Sequence, residues 1–152
     1  MNSGQPVGGP RLSAETVHAS TVAVDGRAVL ITGPSGSGKS DLALRLLDRG
    51  FALVSDDRTV VRMDRSRLVA SAPPNIAGKL EIRGIGIVEM EAVSDVPVAL
   101  LVELTSDIQR LPDDSRQRPI LGVSVPLISI DAMTASAASK VALALDRMGL
   151  KF

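Results

Sequence analysis

The sequence predicts an α/β domain with a mixed β-sheet built around a phosphate-binding loop. Three observations lead there. An octet of the form G-x-x-x-x-G-K-S fills residues 33–40, with an apolar segment before it and an amphipathic one after it. Strand-like segments are numerous, while only two stretches carry a helical pattern. Short polar turns join several of the strand-like segments, so antiparallel pairs accompany the one strand–loop–helix unit. The chain has 152 residues, the length of a single domain of about 150, and a chain of this size buries roughly 70% of its unfolded surface.

The elements follow in order. Residues 1–10 are rich in Gly, Pro, Ser and Asn and carry little to bury, so residues 1–14 are read as a flexible tail and 15–152 as the domain. Residues 16–24 (TVHASTVAV) are β-branched and partly alternating. After Asp25-Gly26 comes RAVLIT at 27–32, which makes a hairpin. Beyond the loop, residues 41–49 place Leu42, Leu46 and Leu47 on one helical face, and Gly50 is a stop. Residues 51–54 form a short buried strand that ends in Ser55-Asp56-Asp57. Residues 59–63 and 67–70 suggest a second hairpin, and Pro73-Pro74-Asn75 breaks the pattern. Residues 80–88 (LEIRGIGIV) are expected as one strand, in which Gly84 and Gly86 admit the close approach of another backbone. Residues 98–104 are a buried strand and 105–119 a polar loop or short helix. Residues 120–130 are strand material with Pro126 at a bend or edge, and 132–148 are an Ala-rich helix followed by Gly149.

Composition removes several functional classes. Hydrophobic residues are 45% and charged residues 22%, which is globular rather than disordered. Lys+Arg and Asp+Glu are both 17, so no bulk field favours nucleic acid or an anionic membrane. There is no Cys, hence no disulfide, Cys-ligated zinc or thiol chemistry. Phe51 and Phe152 are the only Phe, Tyr or Trp residues, so stacking platforms for bases are nearly absent. Apolar runs such as 96–102 fall far short of the ~20 residues that span a bilayer. The N-terminus lacks a basic-then-apolar signal pattern, so a cytoplasmic location is expected.

The candidate site centres on Gly33, Pro34, Ser35, Gly36, Ser37, Gly38, Lys39 and Ser40. In such a loop the glycines let backbone N–H groups turn towards phosphate oxygens, and the helix N-terminus favours an anion. Lys39 reaches the β- and γ-phosphates of ATP, and the Ser40 hydroxyl suits Mg2+. The two-residue turn pairs Val24 with Arg27, Val22 with Val29, Ser20 with Ile31 and, by continuation, His18 with Gly33. The only His thus falls beside the loop, as a phosphate or proton partner or as a plain surface residue. Asp56 and Asp57 end the strand that follows the loop's helix. Neighbouring strand residues point to opposite faces, so the two need not share a job: one acid suits Mg2+ and the other the proton of an attacking hydroxyl, or the pair is a polar turn or an N-cap. Glu81 and Arg83 fall on one face of the expected 80–88 strand, with Glu81 a further metal-shell carboxylate or one half of a surface ion pair. Arg110, Arg116 and Arg118 share the polar segment; any one of them suits the charge on a transferring phosphoryl group, and a plain surface role is the default for all three.

Taken together, the chain resembles the catalytic domain of HPr kinase/phosphorylase, which acts on a serine of the phosphotransferase-system protein HPr. The resemblance runs from about residue 16 to 145 and rests on GPSGSGKSDLALRLLDRG (33–50), FALVSDD (51–57) and LEIRGIGIVEM (80–90), with His18 upstream. It implies that His18 is a catalytic His, that residues 33–40 hold ATP with Lys39 catalytic, and that Ser40 and Glu81 bind Mg2+. It further implies that Asp57 is the proton acceptor, that Arg110 in QRLP is the catalytic Arg, and that the fold is related to phosphoenolpyruvate carboxykinase. A homo-oligomer, typically a hexamer, and an HPr-like protein partner come with it. The short N-terminal tail resembles the shortened alphaproteobacterial form of the family. The Gly/Arg-containing loop associated with dephosphorylation is not evident in PLISIDAMTASAAS, so kinase activity is expected and phosphorylase activity is left open. The rival readings are a P-loop small-molecule kinase and a non-catalytic ATP-sensing module.

Overall fold

A computed structural model describes residues 13–108 and 116–152. The strands are β1 (Ala14–Val17), β2 (Ala19–Val24), β3 (Arg27–Thr32), β4 (Ala52–Ser55), β5 (Thr59–Asp64), β6 (Arg67–Ser71), β7 (Lys79–Ile82), β8 (Gly86–Glu89), β9 (Val96–Leu104), β10 (Gln117–Ile120) and β11 (Val123–Ile130). The helices are α1 (Lys39–Leu47) and α2 (Ala137–Met148). Nine strands join in one sheet in the order β1-β5-β6-β9-β3-β2-β4, with β11 also beside β9 and β10 beside β11; β7 and β8 form a separate ribbon.

The sheet is mixed, as the sequence predicts. β9 runs parallel to β3 and to β11 but antiparallel to β6. It is buried along almost its whole length, which explains its unbroken apolar run. Residues of β3 alternate between two cores. Val29 and Ile31 pack with Leu42, Leu46, Val141 and Leu145 under the helices. Ala28 and Leu30 pack on the opposite face with Val61, Leu68, Val98 and Val125.

The Asp25-Gly26 hairpin has the predicted register: Val24 pairs with Arg27, Val22 with Val29 and Ser20 with Ile31. Both turn residues take positive φ, 53° and 73°, as this two-residue turn demands. Helix α1 starts two residues before the predicted 41–49, because Lys39 and Ser40 are already helical. Gly50 ends its run with φ 92°.

Several expectations are corrected. Residues 16–24 are not one strand. The chain bends at His18, and β1 leaves the β2–β3 hairpin to pair with β5. Residues 80–88 are not one strand but the β7–β8 hairpin, with Leu80 opposite Val88 and Ile82 opposite Gly86. Gly84 and Gly86 have φ 88° and 109° with nothing near a would-be Cβ, so they serve the turn rather than a close backbone approach. Arg83 lies in that turn and shares no strand face with Glu81. In the polar segment, strand β10 begins at Gln117 and takes in Pro119. Residues 120–130 are split by a turn in which Leu121 and Gly122 both take positive φ. Pro126 faces Gln117 just before β11 joins β9, at the edge where a missing N–H is tolerated. The Ala-rich helix starts at Ala137, because residues 132–136 form turns.

Candidate active site

The connection β3–loop–α1–β4 steps over β2, which pairs antiparallel with both β3 and β4. The C-terminal ends of β3 and β4 and the first residues of β2 therefore meet at one edge. The phosphate loop, the two aspartates and the stretch His18–Ser20 are neighbours for that reason. Ligands of open α/β sheets lie beyond such carboxyl ends.

The loop is built around its glycines. Gly36 and Gly38 take φ 79° and 100°, the left-handed region that favours glycine. A Cβ on Gly33 would stand 2.5 Å from Ser37 Oγ. Ser37 N–H donates to the Pro34 carbonyl over 3.0 Å, and Leu42 N–H to the Gly38 carbonyl over 2.9 Å, which starts α1 directly after the loop. The Ser37 hydroxyl is buried and finds no partner among the described residues. An orphaned hydroxyl in a glycine cradle at a helix start suits the oxygens of a phosphate group. Lys39 is only 8% exposed. Its Nζ donates to the carbonyls of Gly33 at 2.9 Å and Pro34 at 3.3 Å. An ammonium has three protons, so one remains for a phosphate oxygen.

Opposite the loop lies Asp56, also 8% exposed. Its Oδ1 accepts from Ser40 Oγ at 2.6 Å and from Ser20 Oγ at 2.9 Å, and its Oδ2 accepts from the Glu81 backbone N–H at 2.9 Å. Asp56 thus ties together α1, β2 and the β7–β8 hairpin. Asp57 is different in kind: it is exposed, with φ 64°, and its backbone N–H donates to Ser20 Oγ at 3.0 Å. Below the pair, Ser55 Oγ bonds the Arg58 carbonyl, and the Thr21 and Thr59 hydroxyls meet at 2.7 Å, fixing where β4 turns into β5.

Hard oxygen donors, a Ser40 hydroxyl against a carboxylate, suit Mg2+. This ion is commonly held by one or two carboxylates together with substrate phosphates. No cluster of three or more His, Asp or Glu occurs among the described residues. A site completed by nucleotide phosphates needs none. Glu81 projects from β7 with an exposed side chain, while its backbone touches Asp56.

The predicted residues come together unevenly. His18 is exposed at the bend just before the last hairpin pair, Ala19 with Thr32, and the predicted continuation to Gly33 is not part of the register, because the chain turns away there to pair with β5. Arg110 lies outside the described residues. Arg116 and Arg118 are engaged elsewhere, with Glu103 at 3.3 Å and 3.1 Å. Arg116 also donates to Ser129 at 2.8 Å. Burial pushes the Glu103 carboxyl up, but the hydrogen bonds from Arg116, Arg118 and Ser129 outweigh it and hold the carboxyl below the usual range. Ser20 was not singled out by its chemistry in the sequence, although a signal exists. Ser20-Thr21 is a polar pair inside an otherwise apolar strand, and buried hydroxyls need partners.

A glycine loop between a strand and a helix, faced by acids from the next strand, defines a P-loop α/β domain. The family is narrower than that class. Residues 11–145 match the HPr Serine kinase C-terminal domain, and the chain belongs to that family. It is 41% identical over 127 residues to the HPr kinase/phosphorylase of Chlorobium limicola, covering 74% of this chain and 38% of that protein. It is also 41% identical over 133 residues to the HPr kinase/phosphorylase of Lactiplantibacillus plantarum, covering 79% of this chain and 42% of that one. The chain therefore spans about two fifths of the length of these curated relatives. The structure of the Hpr(Ser) kinase/phosphatase from Coxiella burnetii superimposes with a TM-score of 0.76 at 30% identity, over 87% of this chain and 94% of that one.

Proposed function

We propose that this chain is an ATP-dependent protein kinase that phosphorylates an HPr-like phosphocarrier on a serine. The observation that carries the reading is the Ser40–Asp56 contact of 2.6 Å with Asp57 exposed beside it, at the mouth of a phosphate loop. In this reading the ATP phosphates lie on residues 33–40, and Lys39 with the loop amides balances the charge that spreads over the transferring group. Ser40, Asp56 and Glu81 are the residues that would hold Mg2+, which shields the phosphate charge. Asp57 takes the proton of the acceptor serine as its oxygen attacks the γ-phosphorus, and the bond to the β-phosphate oxygen breaks to release ADP. In the phosphorylase direction, which the resemblance leaves open, inorganic phosphate would give a proton to Asp57 and attack the phosphoserine phosphorus; the bond to the serine oxygen breaks, pyrophosphate leaves, and Asp57 passes the proton to the serine oxygen. His18, at the bend next to the end of the β2–β3 hairpin, is a further catalytic group by resemblance to the family, and Arg110 is the candidate cation from the polar segment. A homo-oligomer, hexameric by resemblance to the family, and a cytoplasmic location complete the reading. No helix among the described residues is long and apolar enough to cross a membrane.

The test is to mix the protein with Mg2+-ATP and the HPr homologue of the same organism and to read intact masses. One phosphate on an HPr serine is expected. With Asp57→Asn, transfer should fall by roughly 10²–10⁴-fold, the contribution of a positioned general base, while ATP still binds. ATP binding without transfer to HPr would overturn the assignment and favour a small-molecule kinase or an ATP sensor.

A further inference from the structure

Asp56 and Asp57 are adjacent in sequence yet face different surroundings, one buried and one exposed. What separates them is Ser20. Its side chain is fully buried on the helix-facing side of β2, the side of Val22. The hydroxyl uses its one proton on Asp56 Oδ1 at 2.9 Å and accepts the Asp57 N–H at 3.0 Å. Both partners are demanding. Asp56 Oδ1 is also the acceptor for Ser40 at 2.6 Å. Asp57 sits at φ 64°, in the left-handed region, which Asp tolerates better than most non-glycine residues but which few residues take up unsupported. One oxygen on β2 thus fixes the carboxylate that holds Ser40 and the backbone that aims Asp57.

We propose that Ser20 is a positioning residue for phosphoryl transfer. Its hydroxyl sets Asp56 against Ser40 and locks Asp57 in the left-handed conformation from which its carboxylate meets the acceptor. Ser20 itself touches neither nucleotide nor acceptor. The inference rests on the kinase reading above, and the test keeps the two apart.

Ser20→Thr and Ser20→Val add equal bulk at the same strand position and differ in the hydroxyl. Ser20→Ala, run beside them, removes the hydroxyl without adding bulk. Three quantities are read: hydrogen exchange of the Asp57 amide, the Mg2+-dependent gain in ATP affinity, and turnover per titrated ATP site with HPr as acceptor. The Thr variant should stay close to wild type in all three. The Val and Ala variants should bind ATP at one site per chain. They should exchange the Asp57 amide faster, lose part of the Mg2+-dependent gain, and turn over roughly 10–100-fold more slowly, the scale of a misplaced reacting group. Their KM for HPr should not move.

Equal behaviour of Thr and Val in turnover and amide exchange overturns the inference. So does a loss confined to the number of competent ATP sites, which is what a merely structural serine gives. If neither β-branched variant binds ATP, Ala against wild type decides. If wild type transfers no phosphate to HPr, the kinase reading fails. The Ser20 inference is then decided by amide exchange and Mg2+-dependent ATP affinity alone. A Thr–Val difference in both sustains the positioning of the acids, and its absence overturns it.

Discussion

Gly33 shows how little freedom the loop leaves to a single atom. A Cβ in its place would force a neighbour to shift, since that carbon would lie 2.5 Å from Ser37 Oγ and 3.1 Å from Leu104 Cβ. Of these two obstacles the first is the worse, and it belongs to a hydroxyl that is buried without a partner among the described residues. Gly33→Ala should therefore distort the loop and weaken ATP binding, by about tenfold if the distortion costs about 1.4 kcal/mol, the equivalent of one decade. Adding Ser37→Ala removes the offending oxygen and should restore part of the loss, although the Leu104 contact remains. Isothermal titration of ATP into wild type, both single variants and the double variant measures this coupling. Strict additivity would show that the Ser37 hydroxyl is not what excludes the Cβ. The glycine's place in the motif was legible in the sequence, but the reason for it was not, because the clash depends on how the loop folds back on itself. The same holds for Asp56 and Ser20. The acids were legible as a pair at a strand end. Which of them is buried and which exposed depends on a hydroxyl 36 residues away in the chain.

At the level of elements, the sequence was most informative where a local rule fixes the geometry. The Asp25-Gly26 turn fixes its register outright, and the register holds as far as Ala19 with Thr32, one residue short of His18. It was least informative where glycine has two meanings. Gly84 and Gly86 in LEIRGIGIV are compatible with a strand that admits a close backbone and with a hairpin turn. Only Leu80, fully buried, and the Glu81 amide on Asp56 show that β7 alone packs down while the turn projects, leaving Ile85 74% exposed. The polar segment was ambiguous for a similar reason, since arginines read one by one give no hint that two of them converge on one acid. Glu103 on β9 binds Arg118 on β10, Ser129 on β11 and Arg116, and so stitches three strands at the edge of the sheet. Its carboxyl is held below the ordinary Glu value of 4.5 in the folded chain. The ionised form is thus favoured by folding. Its contribution to stability is complete above that ordinary value and is lost as pH falls through the lowered one. The carboxylate is about a third exposed, 35%, so the contribution is small, roughly 0–1 kcal/mol per pair as for other solvent-screened bridges. Glu103→Gln should lower the urea midpoint at neutral pH and leave it unchanged well below the Glu range. A deficit that persists in acid would mean that packing, not charge, is what the substitution removes.

For the whole molecule the question is whether nucleotide binding resides in this chain by itself, which spans 38% and 42% of two long relatives. The architecture argues that it does. β3 delivers the loop, β4 the acids and β2 the hydroxyl between them, and a single crossover over β2 brings all three to one edge. Both cores bury the supporting strands: Ile31 and Val102 on the helix side, Leu30 and Leu101 on the other. The strands that carry the edge are thus braced from both faces of the sheet. A ligand that binds only the folded chain must then stabilise it by linkage. With free Mg2+-ATP at about 100 times its Kd the gain is about 2.7 kcal/mol. For a domain of this size each kcal/mol raises Tm by about 2–4 °C, so a rise of roughly 5–11 °C is expected in a thermal melt. Lys39→Ala removes an ammonium that reaches across the loop and should abolish most of the rise. Asp57→Asn should keep it, because the proposed function gives Asp57 to the acceptor rather than to the phosphates. A melt unmoved by Mg2+-ATP in the wild-type chain would mean that the edge needs parts of a longer protein to bind nucleotide. An equal loss in both variants would mean that Asp57 belongs to the nucleotide site, and the division of labour between the two aspartates would have to be redrawn.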